Sequence, residues 1–213
     1  MRAALGLAGL LAAAVLAGGC AAVVVGAGGV AAVNALEDRR TAGSQVEDEA
    51  NELRAVNRIA ERFPEGVHVN VTSFNRAVLL TGEVPDAATR EVIEKIAAGL
   101  PNVRNIANEL EVAGVSSFTS RSNDSLITSK VKVRLLDARR VNPTHVKVVT
   151  EAGIVYLMGI VTEQEGNDAT EVARTTGGVR KVVKIFEYCK PTDDVCRSLA
   201  PASAPAQKAR PGG

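Results

Sequence analysis

The chain has 213 residues, enough for one large domain or two small ones. Aromatics are only 3% and Trp is absent, so Val, Ile, Leu and Ala must fill any core. With 25 basic and 24 acidic residues the formal charge is +1, which excludes a strongly basic nucleic-acid binder and a charge-driven disordered chain. Three cysteines and two histidines are too few for a Cys/His zinc array, so no metal and no cofactor is expected.

Met1-Arg2 gives a short positive region, and Ala3 to Ala17 is uninterrupted apolar sequence. Leu16-Ala17-Gly18-Gly19-Cys20 follows. Small residues before a cysteine fit a lipoprotein signal over residues 1–19, with Cys20 as the lipid attachment site and first mature residue. Leu16 stands one position further back than in the usual bacterial lipobox. The acyl chains anchor by burying CH₂ groups, at about 0.8 kcal/mol each. A membrane-spanning helix is the competing reading, because apolar residues continue to Val33; Gly18, Gly19, Gly26, Gly28 and Gly29 weaken such a helix. Ala21 rather than Asp after the cysteine, by resemblance to Gram-negative lipoproteins, implies an outer-membrane anchor facing the periplasm. Gly26-Ala27-Gly28-Gly29-Val30-Ala31 matches G-x-G-x-x-A, but no βαβ unit surrounds it. Residues 20–43 are therefore read as a lipidated, flexible tether.

The body contains an internal repeat. Val67-His68-Val69-Asn70-Val71-Thr72 aligns with Thr144-His145-Val146-Lys147-Val148-Val149. Ala77 to Val84 aligns with Ile154 to Val161, and Val103-Arg104-Asn105-Ile106 with Val179-Arg180-Lys181-Val182. Two modules follow, over residues 44–114 and 122–190. Each reads α-β-β-α-β: an α+β fold with a three-stranded sheet and two helices on one face. In the first, Pro85-Asp86 opens the second helix and Gly99-Leu100-Pro101 closes it. In the second, Asn123-Asp124-Ser125 offers N-caps for a helix from Leu126 to Ala138. Strands are expected over His145–Thr150, Ile154–Val161 and Lys181–Tyr188. Thr162-Glu163-Gln164-Glu165 is a capping box for the intervening helix. Residues 191–213 read as a disordered Ala/Pro-rich tail.

No nucleophile elbow, zincin or phosphate-loop motif is present, so no catalytic residue is assigned. His68 and His145 occupy equivalent strand positions, the mark of a repeat feature rather than an acid–base pair. Glu47-Asp48-Glu49 reads as a solvated helix start. Cys189 and Cys196 are open to a bridge in an oxidising compartment, to two free thiols or to intermolecular pairing. Charge separates the modules. Ser44 to Gly114 holds 7 basic and 12 acidic residues, a net of 7 − 12 = −5; Ser122 to Lys190 holds 11 and 8, a net of 11 − 8 = +3. On the expected helix, Ile127, Val131 and Leu135 form a stripe suited to the sheet, while Leu126 and Val133 lie on another face with Lys130 between them. Leu136 flanks that face, and Lys132, Arg134, Arg139 and Arg140 surround it. Leu126, Lys130, Val133 and Arg134 thus form the expected phospholipid-binding set, at an anionic surface. Charge reversal at Lys130 and Arg134 is expected to abolish membrane binding and leave the fold intact. The alternative is that Leu126 and Val133 pack against the first module.

The strand–turn–strand units ending in Gly82 and Gly159, Ser122-Asn123-Asp124-Ser125-Leu126-Ile127-Thr128, Val148-Val149-Thr150-Glu151-Ala152-Gly153 and Tyr156-Leu157-Met158-Gly159 resemble the BON domain of bacterial periplasmic proteins. A tandem pair behind a lipobox is similar to the dual-BON outer-membrane lipoproteins, over about residues 20–190. The resemblance implies a non-enzymatic binder of anionic phospholipid membranes that supports envelope integrity and gathers at division sites. It implies a tight backbone position at each of the two glycines. The family often carries Trp where Leu126 stands, an amphipathic ring that suits a headgroup interface. The competing function is a periplasmic adaptor for an envelope assembly or stress-response protein.

Overall fold

The computed structural model describes residues 38–197. The signal segment, Cys20, most of the expected tether and the tail beyond residue 197 lie outside the described residues. The first module comprises α1 (Ala42–Arg62), β1 (His68–Phe74), β2 (Ala77–Val84), α2 (Ala87–Ala98) and β3 (Asn105–Val112). The second comprises α3 (Phe118–Ala138), a 3₁₀ turn (Pro143–His145), β4 (Val146–Glu151), β5 (Ile154–Val161), α4 (Glu163–Arg174) and β6 (Lys181–Tyr188). Each sheet places its middle strand antiparallel to the first and parallel to the third. The parallel pairing requires a crossover, which α2 and α4 supply. This is the expected α+β plan of two tandem modules.

Helices cover one face of each sheet. In the first module Ala55, Ile59, Ile93 and Ala97 pack on Val78, Leu80 and Val84. In the second, Ile127, Val131 and Leu135 pack with Ala169 and Ala173 on Val155, Leu157 and Val161. The other faces pack against each other. Phe74 and Leu79 of the first sheet join Tyr156, Met158 and Ile160 of the second in a third core. The body is therefore a four-layer α/β/β/α stack, with β2 and β5 buried on both faces.

Each hairpin is tied to its module's first helix by a buried aspartate. Asp48 accepts from Ser73 Oγ (2.8 Å), Asn75 N (2.7 Å) and Arg76 N (2.8 Å), and is only 1% exposed. Asp124 accepts from Ala152 N (3.0 Å) and Gly153 N (2.8 Å). Asn75, Arg76, Ala152 and Gly153 all have positive φ, the geometry of a type I′ hairpin turn. Non-glycine residues adopt it at a cost, which the carboxylate offsets by satisfying the turn's N–H groups. These contacts correct two expectations. Asp48 is not a solvated charge: α1 starts earlier, at Thr41, whose side chain accepts from Ser44 N. Asp124 is not a helix cap: α3 starts at Ser117, whose hydroxyl accepts from Ser120 N. His145 likewise sits in the 3₁₀ turn ahead of β4, because Asn142 and Pro143 start that turn.

Gly82 and Gly159 occupy equivalent close approaches. A Cβ on Gly82 would lie 2.0 Å from the His68 carbonyl oxygen, and on Gly159 2.2 Å from that of His145. Gly82 also has φ +114. Only glycine lets the paired strand pass there.

Both ends of the body are fixed. Arg39 donates to Glu165 (2.7 and 3.0 Å), to the Ile160 carbonyl (2.9 Å) and to the Cys196 carbonyl (3.3 Å). Arg40 pairs with Asp48 at 3.1 Å and stacks over Phe74. The tether expected to reach residue 43 is thus bound structure by Arg39. Cys189 and Cys196 form a disulfide with Cα atoms 6.2 Å apart, and both join the core between the sheets. The tail expected to be disordered from Pro191 is folded to Arg197, because this bridge and the Asp193 turn hold it.

Candidate functional site

α3 is a two-faced helix. Asp124, Ile127, Val131 and Leu135 are buried at three- and four-residue spacing. Outside, Phe118 is 78% exposed, Leu126 59%, Val133 54% and Leu136 57%. At about 100° per residue, Leu126 and Val133 fall within roughly 20° of one another, and Phe118 and Leu136 share one direction roughly 80° to their side. These residues form one outer apolar row, and Lys130 and Lys132 are exposed beside it. Leu126 and Val133 are more than half exposed and belong to none of the three cores.

Arg134 has a different environment from Lys130. Its guanidinium donates to the Val172 carbonyl (3.3 Å), Thr176 Oγ1 (2.9 Å) and Thr175 Oγ1 (3.1 Å). It ties α3 to the C-terminal end of α4, where a cation also suits the helix dipole. Charge reversal at Arg134 would therefore disturb the module, contrary to the expectation that it leaves the fold intact. Phe118 is a further member of the row that helical period from Leu126 onward does not reach, because α3 begins eight residues earlier than expected. The signal for it is Ser116-Ser117 directly before Phe118.

A second polar cluster lies at the joint between the modules. His68 and Glu83 face each other across β1 and β2, with Nδ1 and Oε2 2.9 Å apart. Asn70 Nδ2 donates to Glu151 of the second module at 2.7 Å. Burial raises the Glu151 carboxyl above its ordinary range; the Asn70 hydrogen bond and the His68 charge oppose this, and Glu83 and Asp124 add to it. Burial, with Glu109, Glu111 and Glu151 nearby, also pushes the Tyr156 phenol up. His145 has a different partner, Glu165, at 3.4 Å. Burial alone would raise the Glu165 carboxyl, but hydrogen bonds from Arg39 and Thr162 and the Arg39 charge take it down to about 2.

The BON domain model matches residues 48–114 and 123–190. The chain is 41% identical over 160 residues to the outer membrane lipoprotein DolP of Haemophilus influenzae, covering 74% of this chain and 82% of that protein. It is 37% identical over 153 residues to the 21 kDa hemolysin of Actinobacillus pleuropneumoniae, covering 71% and 79% respectively. It is 33% identical over 117 residues to the osmotically-inducible protein Y of Escherichia coli, covering 54% and 58%. With both modules matched and relatives aligned across most of their length, the chain belongs to the BON-domain family.

Proposed function

We propose that the protein is a non-enzymatic outer-membrane lipoprotein, anchored through Cys20 and facing the periplasm, whose second module engages anionic phospholipid through α3. The outer apolar row of Phe118, Leu126, Val133 and Leu136 beside Lys130 and Lys132 carries this reading. Such a row inserts shallowly at a headgroup interface, and each nearby cation contributes about 1 kcal/mol, weakened by salt. The second module's net charge of +3 favours an anionic surface, while the first module's −5 disfavours it. The relatives' names, an outer membrane lipoprotein and a hemolysin, point to membranes as well. Support of envelope integrity, including at division sites, is the cellular role this reading predicts. No helix among the described residues is long and apolar enough to cross a bilayer, so engagement through α3 is interfacial.

The test is flotation of the unacylated chain starting at Ala21 with phosphatidylglycerol or phosphatidylcholine vesicles. The parent floats with the anionic vesicles only. Lys130→Glu with Lys132→Glu abolishes flotation without lowering the melting temperature. Retained binding by that variant overturns α3 as the membrane surface, and lipid-independent capture of an envelope protein supports the adaptor role. Mass spectrometry of the membrane form shows acyl mass on Cys20.

A further inference from the structure

The joint between the sheets collects more metal-binding chemistry than the membrane reading uses. We propose that His68, Glu83 and Glu151 bind one divalent transition-metal cation of the zinc or manganese class. The three side chains come from β1, β2 and β4, so the ion would bridge the two modules. One donor atom from each lies within 4.8 Å of the others. Donors around a shared zinc ion at about 2.0–2.2 Å stand roughly 3–4 Å apart, so a small inward shift closes the set. One imidazole nitrogen with two carboxylate oxygens suits zinc or manganese better than calcium, which takes more oxygens.

Two further observations point to a ligand. Thr81 Oγ1 is buried without a hydrogen-bond partner, in a residue only 1% exposed. Thr81 pairs directly with Asn70 and lies two residues before Glu83, so its side chain shares the face that carries His68, Asn70 and Glu83. Buried hydroxyls are normally satisfied, and a cation-bound water would satisfy this one. The cluster is also reachable. A cleft of about 440 Å³ opens on it, lined by His68, Asn70, Asp124 and Glu151, with Arg121 also on its wall.

The exchange balances. His68 Nδ1 and Glu83 Oε2 stand 2.9 Å apart in a hydrogen bond. The cation takes the place of that hydrogen bond: Nδ1 binds it as a neutral imidazole with the ring proton on Nε2, and the two carboxylates neutralise the ion.

The test uses the full chain in detergent and ZnCl₂ as the probe. Titration calorimetry shows one saturable equivalent. The chain has only two histidines, so imidazole NMR reads the site directly: the His68 signals shift on titration and the His145 signals do not. Glu151→Gln keeps an acceptor for Asn70 and weakens zinc binding at least ten-fold; His68→Gln does the same, with melting in EDTA unchanged. Absence of a saturable equivalent, a shift at His145 in place of His68, or parent-like binding by Glu151→Gln overturns the site.

Discussion

α1 and α3 hold the same place in their modules, and each leaves an apolar row outside its buried face. On α1 the row contains Val46 and Leu53, and on α3 it contains Leu126 and Val133. Their neighbours differ in sign. Glu47, Glu49 and Glu52 accompany the first row, and Lys130 and Lys132 the second. Beneath these faces the modules agree closely: a buried aspartate ties each hairpin, and a glycine admits each neighbouring backbone carbonyl. The repeat thus retains what closes the backbone and varies the charge shown to solvent. On the proposed reading, a shared scaffold with opposite surface charge suits the modules to different surfaces.

The likeness breaks most readily at the glycines. Gly82→Ala places a Cβ 2.0 Å from a backbone carbonyl at positive φ, and Gly159→Ala places one at 2.2 Å. Each substitution is expected to cost at least about 3 kcal/mol in urea unfolding, with Gly82→Ala the worse because strain adds to overlap. Parent-like stability of either variant would show that the strands can part at no cost. The aspartates come next. Asp48→Ala removes the acceptor of two turn N–H groups and the Ser73 hydroxyl and one ion pair of Arg40, and should cost about 3 kcal/mol; Asp124→Ala, with two backbone partners, should cost about 2 kcal/mol. Equal losses would mean that Arg40 and Ser73 contribute nothing at Asp48.

Acid should load the second module at Glu165, whose carboxyl is taken down to about 2, while in the first module hydrogen bonds from Thr89 also lower Asp86. Glu165 is ionised and paired above its ordinary value of 4.5, so its stabilisation is intact there and is lost as pH falls from about 4.5 toward about 2. The side chain is 18% exposed, and after allowance for solvent screening the effect is on the order of 2 kcal/mol. Arg39→Ala should remove most of this acid sensitivity, read as melting temperature against pH. The smallest effect on stability belongs to the outer rows. Leu53→Asp and Leu126→Asp should each change unfolding by less than about 0.5 kcal/mol. Only Leu126→Asp should abolish flotation with anionic vesicles, and equal loss from both would erase the functional distinction between the helices.

Much of this architecture is legible in the amino-acid sequence. The offset repeat locates both sheets, and adjacent apolar residues such as Leu79-Leu80 and Tyr156-Leu157 mark strands buried on both faces. The residues that cover the second face are not legible, since strand periodicity carries no information about a partner sheet. Asp48 and Asp124 look like helix-start residues because an acidic residue near a helix N-terminus is common, whereas their real partners lie across a tertiary contact. Likewise His68, Glu83 and Glu151 sit on three strands of two modules, so no spacing rule joins them. Leu126, Val133 and Leu136 of the outer row of α3 are legible from helical period, but Phe118 is not, because the helix starts earlier than expected, and the role of Arg134 is not, because its partners sit at the far end of α4.

The paired arginines before α1 also have a mechanical consequence. Arg39 grips Glu165 and two carbonyls in the second module, while the adjacent Arg40 grips Asp48 in the first. A pull along the chain from residue 38 would meet the bonds of Arg39 to the second module and of Arg40 to the first before it reached the first turn of α1. Tension from a membrane anchor would then be shared across the body before any helix peels away.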